Sequence, residues 1–462
     1  MLTSTANGND SRLLLWRRVR EYAVPPSMIE TATARRLAGD WAGACAAANV
    51  EVEFRLGDVA RTHGRGLADR LRADLRRLAP DLLRWHLPRS APDGLLRPGL
   101  TMALARYPIA WHPGDRPVFL VVRTPPAWAE YGQRISLALW DGPGNDDRSP
   151  HPHPRPSRRF RYDLHRHLWD AGRSGELAVR AGAGTPNALS DRDVGDTDIG
   201  DTDVGDTDVG DPVRRRAVDR WAAEAALLLR ADGRPEGPVV VRLGRRRRLL
   251  LAPDGSTQET TGDTSALPLL PDAATWAPPD LDLLRSGAIE PDRLHPLVAA
   301  ALAPGRRARP SAGPPVRLST QRLVDCRGSR HRIGLVDGVL TPLDHDPAEL
   351  RREELLAALS GTPLPCLRAV DQAHRRPHEL AGVRERLDHG DTAGALAVVE
   401  SLLGPEAVLR DGPLRDELAA AAQRRIAYGL YRAGLTGPRT PGHPFRKLPR
   451  TPYARAHRVV HH

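Results

Sequence analysis

The sequence predicts an α+β protein of several modules, in which helical hairpins and small antiparallel sheets are joined by disordered linkers and followed by a disordered tail. Three observations carry that expectation. The chain has 462 residues, enough for about three domains. Apolar residues recur at helical spacing in some segments and alternate in others. Gly and Pro, 41 and 43 residues, exceed average usage of roughly 12% and mark the breaks between those segments. Aromatics make up only 4% of the chain, so the cores must rest on Leu, Val and Ala, with nine Trp as large anchors.

The first unit spans residues 1–141. Ser27 and Glu30 form a capping-box pattern that opens a helix over 27–37. Gly39 suits a left-handed C-terminal position and Asp40 an N-cap, so residues 41–48 should fold back as the second arm of a hairpin. Residues 50–54 alternate as a short strand does. Asp58 caps a helix broken at Gly64, Leu67, Leu71, Leu75 and Leu78 mark the next, and Pro80 opens a third over 81–87. Residues 100–107, 118–123 and 134–140 then read as an antiparallel meander. Residues 142–215 form a linker with one helix, 162–179, and four Asp-rich pentapeptides at 191–210.

A middle unit, 216–302, contains a helix at 217–230, apolar strands at 239–243 and 249–251 around the arginine run 245–248, and helices at 280–287 and 291–302. A Pro/Gly/Arg linker, 303–315, precedes the last ordered unit, 316–435. That unit opens with strands 316–326 and 331–343 about the turn Arg327-Gly328-Ser329, with a further turn at Asp337-Gly338. Helices follow at 347–359, 377–388, 391–402 and 413–433. Gly390-Asp391-Thr392-Ala393-Gly394-Ala395 repeats the pattern of Gly39-Asp40-Trp41-Ala42-Gly43-Ala44, so one kind of hairpin is expected at both ends.

Lys447 is the one lysine among 68 basic residues; the other 67 are arginines. Schiff-base, P-loop and kinase-type chemistry therefore have no lysine before position 447. The net charge is +11, and the acid-free tail 436–462 supplies six of those charges through Arg439, Arg446, Lys447, Arg450, Arg455 and Arg458. That tail is the candidate polyanion-binding element, for which six neutralised phosphates imply a salt slope of about −5. Cys45, Cys326 and Cys366 show neither a disulfide framework nor a metal-like spacing. No apolar run is long enough to cross a membrane and no signal segment is evident, so a cytoplasmic chain without membrane contact is expected.

His151, His153, His165 and His167 are the densest group of metal-ligand types. The second pair, two apart on an expected helix, would point in divergent directions, so no metal and no cofactor is predicted. The pentapeptides gather carboxylates but lack the spacing of a calcium loop. No nucleophile elbow, zinc-protease helix, paired Cys-x-x-Cys or dinucleotide-binding glycine motif occurs.

Five segments together resemble an uncharacterised family of high-GC bacterial proteins, some of which carry C-terminal ankyrin repeats. They are residues 36–50 with the Gly-Asp-Trp-x-Gly-Ala core, 81–89 (Asp-Leu-Leu-Arg-Trp-His-Leu-Pro-Arg), 167–170, 281–302 and 387–399. The resemblance implies a shared architecture and assigns no catalytic residue. Ankyrin repeats are not evident in this chain, which continues after Gly390-Asp391 into a long helix and the basic tail. The sequence thus reads as a non-catalytic interaction or structural protein with an unknown protein partner. The alternatives are nucleic-acid or other polyanion binding through the tail, and an enzyme with its site near His165–Asp170.

Overall fold

The computed structural model describes residues 3–108, 117–129, 133–143, 151–183, 215–244, 247–305 and 321–435. Within them the chain is α+β. The pentapeptides and the six basic tail positions lie outside the described residues.

Helix α1 (Thr3–Tyr22) leads into the hairpin of α2 (Pro26–Leu37) and α3 (Trp41–Ala47). Gly39 takes the left-handed conformation, φ 78°, and the Asp40 carboxylate accepts from Gly43 N at 2.8 Å. A Cβ at Gly43 would collide with that carboxylate, which explains the glycine three places after the cap. The start of α2 differs from expectation. Ser27 makes no cap bond and Pro26 begins the helix, a position where the missing N–H costs nothing.

Next come β1 (Val50–Val52), α4 (Leu56–His63), α5 (Arg65–Arg77), α6 (Pro80–His86), β2 (Thr101–Tyr107), β3 (Val118–Arg123) and β4 (Ile135–Trp140). The last three form the expected antiparallel meander, and β1 adds to it in parallel beside β4, with Val50 opposite Ile135. Nearly every residue of β2 and β3 is buried, which is why these strands read as unbroken apolar runs. Leu67, Leu71, Leu75 and Leu78 pack inward from the helical layer, and α6 is buried along its length except at His86.

Residues 157–163 run beside β2 at its bulge, where Ser157 N donates to Thr101 O and Asp163 N to Ala103 O at 2.8 and 2.9 Å. Beyond them the single helix expected over 162–179 is instead two 3-10 turns, Arg166–Leu168 and Ser174–Glu176, followed by α7 (Leu177–Arg180). Backbone bonds from Ala79 N to Trp169 O and from Ala171 N to Arg77 O tie this stretch to the end of α5 and replace the helical ladder there.

Helix α8 (Val218–Ala231) packs on a second meander, β5 (Val239–Arg242), β6 (Arg248–Leu251) and β7 (Thr257–Glu259), around a small core of Trp221, Leu228, Val239, Val241, Leu251 and Leu270. After the short α9 (Asp272–Thr275), helices α10 (Pro279–Arg285) and α11 (Pro296–Leu302), grouped by sequence with the middle unit, place Leu281 and Val298 in the first core, joined by Leu294 from the connection between them.

The C-terminal unit has a third meander, β8 (Gln321–Cys326), β9 (Ser329–Val336) and β10 (Val339–Pro342). Its two-residue turns, Arg327-Gly328 and Asp337-Gly338, have positive φ throughout, as tight hairpins need. Helices α12 (Pro347–Ser360), α13 (Pro365–Arg375), α14 (Leu380–His389), α15 (Thr392–Leu403) and α16 (Pro413–Arg432) complete it. Of these five only α13 has no counterpart among the helices read from sequence, as is also true of α1 and α9 earlier in the chain. The α14–α15 turn reproduces the first hairpin: Gly390 has φ 87°, Asp391 accepts from Gly394 N at 2.9 Å, and Arg386 pairs with that carboxylate as Arg35 does with Asp40.

Buried cations knit these parts. Arg84 of α6 donates to the carbonyls of Ala23, at 3.0 Å, Gln133, and His389, at 2.9 Å. Arg20 of α1 makes a bidentate pair with Asp280 of α10 at 2.7 and 2.8 Å, donates to Trp85 O at 2.7 Å and lies over the Trp85 ring. Asp280→Ala would strand that guanidinium, so thermal and urea unfolding should show a loss of about 3–5 kcal/mol. Arg20→Met combined with Asp280→Leu should cost clearly less than the single change; an equal or greater cost would show that the charge pair is not what the position requires.

Candidate functional site

Helices α1 and α6, the 157–181 segment, the end of β5 and the α9–α10 connection enclose a cavity of about 220 Å³. Each wall is fixed by a feature of the fold. The pairing of residues 157–163 with β2 presents Arg159, Phe160 and Tyr162, with the Tyr162 hydroxyl donating to His86 O at 2.7 Å. The 3-10 turn presents His167. Arg20, held by Asp280, lies over the rings of both Trp85 and Trp16, and Trp276 adds a third indole to the lining.

Six arginines line the cavity, Arg20, Arg89, Arg97, Arg159, Arg180 and Arg242, whereas Asp272 is the one acidic side chain among the described lining residues. Several guanidiniums are pinned. Arg159 grips Asp272 at 3.1 and 2.8 Å, and Arg180 grips Glu224 with two bonds of 2.6 Å. Arg89 donates to Arg84 O at 2.9 Å, and Arg242 to Gly244 O at 2.9 Å. Burial alone would raise the Glu224 carboxyl, but hydrogen bonds from His165 and Arg180 outweigh it and hold it down at about 2.

Two imidazoles complete the wall. His86 Nε2 and His167 Nδ1 are enclosed and make no hydrogen bond. Burial, reinforced by Arg20 near His86 and by His165 and Arg180 near His167, pushes both rings well below the ordinary histidine range, so both are neutral at pH 7. Each can exchange one hydrogen bond with a polar ligand. The described lining contains no Ser, Thr, Cys, Lys or Glu, and Asp272 is tied to Arg159. The arrangement therefore suits recognition of an anion more than nucleophilic chemistry.

Of the histidines singled out from sequence, His167 lines this cavity. His165 lies beside it, rings 5.8 Å apart, with Nδ1 3.0 Å from Arg161 O and Nε2 3.3 Å from Glu224. His151 is buried elsewhere, its Nε2 2.9 Å from Thr124 O and its Nδ1 accepting from His153 N, while His153 is exposed. These four do not converge on one point. Among the described residues the metal-ligating side chains that do converge are Cys326, His345 and Cys366, which sequence spacing did not join. Sequence reading also missed His86, Arg159, Arg180 and Trp276, which come from separate segments and share no local pattern. Only the Trp-His pair at 85–86, inside a segment already noted, offered a signal.

No family model, curated protein or solved structure matches the chain, so no site residue is carried over from another protein.

The buried neutral histidines give the fold an acid limit. Below about pH 6.5 the unfolded chain's histidines take up protons that His167 in the fold cannot. Stability is thus greatest above that pH and falls as acid is added. Denaturant unfolding at pH 7 and pH 5 should show that His167→Leu lessens the fall by up to about 2 kcal/mol.

Proposed function

We propose that the chain is a binding protein whose cavity takes a small anion, a carboxylate or phosphate carried on a planar or apolar body. The observation that carries this reading is the pair of enclosed, hydrogen-bond-free nitrogens, His86 Nε2 and His167 Nδ1, in a wall of six arginines and one carboxylate. Arginine forks match carboxylate and phosphate oxygens. Trp16, Trp85, Phe160 and Trp276 supply flat apolar surface for the rest of the ligand. Non-catalytic binding also agrees with the scarcity of nucleophiles in the lining.

A thermal-shift comparison separates these contributions. An aromatic phosphate and an aromatic carboxylate should raise the unfolding temperature, whereas the uncharged aromatic parent and inorganic phosphate should do so weakly or not at all. Arg97→Gln and Arg159→Gln should each weaken the response by about tenfold or more, in line with roughly 1.5–3 kcal/mol for a charge-assisted hydrogen bond. Equal shifts from charged and uncharged aromatics would contradict an anion site.

A second reading, protein interaction, is favoured by α12. Its only buried side chain is Leu350, while Leu355, Leu356 and Leu359 are 67%, 54% and 87% exposed. Leu355→Glu with Leu359→Glu should change stability by no more than about 0.5 kcal/mol per site and abolish co-purification of a partner if this helix binds one. Unchanged co-purification would place the partner elsewhere.

A further inference from the structure

We propose that Cys326, His345 and Cys366 form a binding site for one zinc ion that fastens the β8–β10 sheet to α13. The ligand atoms of the three residues lie within 4.8 Å of one another. A tetrahedral zinc, with Zn–S near 2.3 Å and Zn–N near 2.0 Å, sets its ligand atoms roughly 3.3–3.8 Å apart. Binding would draw the three ligand atoms to that spacing.

The three residues come from three elements that the fold brings to one place. Cys326 ends β8 beside the Arg327-Gly328 turn, His345 follows β10, and Cys366 sits in the first turn of α13. Both sulfurs are fully buried. The His331 ring stacks on His345 at 4.2 Å with an interplanar angle of 12°, and His331 Nδ1 and His345 Nε2 are enclosed without a hydrogen-bond partner. Two buried thiols beside the unmet nitrogen of His345 supply three ligands of the kinds zinc takes, with the fourth position falling to water.

The sheet adds little to the core of its unit, which is built mainly by α14, α15 and α16. Among the described residues of β8–β10, Gly and Pro aside, only Cys326 and Ile333 are buried, and Leu323, Val336 and Val339 are substantially exposed. A sheet with so little apolar burial of its own gains from a metal that ties it to a helix. Zinc binding would form two Zn–S bonds and release the two thiol protons to solvent. Cys45, buried in the first core, takes no part.

The test uses the full chain, reduced and stripped with a chelator, then titrated with Zn²⁺ or Co²⁺. One equivalent should bind, with thiolate-to-cobalt charge-transfer absorption, intense visible bands of a tetrahedral site, and release of about two protons per ion. Cys366→Ser and His345→Ala should each weaken binding by at least about 100-fold, more than outer-shell changes do. His331→Ala, which removes the ring stacked on His345, should keep the charge-transfer band, and Cys45→Ser should leave binding unchanged. Unfolding temperatures in chelator, equal for the wild type and Cys366→Ser, would show that the variant still folds. Absence of the charge-transfer band in the reduced wild type would overturn the proposal. So would wild-type affinity in both Cys366→Ser and His345→Ala, or a Cys326–Cys366 disulfide in the isolated protein with no cobalt uptake after reduction.

Discussion

The pairing of Arg20 with Asp280 is the constraint on which the arrangement of this chain most depends. Both side chains are almost wholly withdrawn from solvent, and ions in that state persist only when their geometry is close to complete. Here it is complete. The guanidinium spends two N–H groups on the carboxylate and one on Trp85 O, and its face lies 4.3 Å from the centre of the Trp85 ring. One interaction thus joins α1, α6 and α10, elements separated by up to 260 positions in the chain. Asp81 and Arg84 repeat the logic from the same short helix. Asp81 accepts from His295 Nε2 at 3.0 Å, the tautomer being set by Leu297 N donating to Nδ1, and Arg84 reaches the carbonyls of three separate segments. The seven residues of α6 act as a hub because their polar side chains point into other elements and away from water.

That hub also makes the cavity. Trp85 and Arg20 are wall residues as well as framework residues, so the aromatic surface and one of its cations are pre-organised by contacts unrelated to any ligand. The same holds for Arg159 and Arg180, whose carboxylate partners Asp272 and Glu224 fix the guanidinium planes before anything binds. Pre-organisation of this kind lowers the ordering cost of binding. It is also why the desolvated imidazoles of His86 and His167 can stay neutral among cations: protonation of either would add a charge to a wall that already carries several.

Local features were legible in the sequence to the extent that their physics is local. The Gly39-Asp40-x-x-Gly43 and Gly390-Asp391-x-x-Gly394 turns were readable because a left-handed glycine, a capping carboxylate and a glycine beneath it are all set within six residues. The β2–β4 meander and the Asp337-Gly338 turn were readable for the same reason. The stretch 162–179 was not, since its helical periodicity yields to backbone bonds with Arg77 and Ala79 from another element. Nor was the membership of α10 and α11 in the first core, which is decided by Asp280 and His295 meeting partners more than 190 positions away. The site was the least legible. Arginine is so abundant that Arg159 and Arg180 carry no contrast, and Cys326, His345 and Cys366 meet only through a hairpin, a loop and a helix that sequence reading did not place together.

The most direct measurement of the central claim is a titration of the full chain with a small aromatic carboxylate or phosphate, followed by the fluorescence of the cavity tryptophans, Trp16, Trp85 and Trp276. Quenching should saturate at one site per chain and weaken at least about tenfold, by a charge-assisted bond lost, when His86 and His167 are both changed to Leu. A change that fails to saturate, or one equally strong in that double variant, would contradict it.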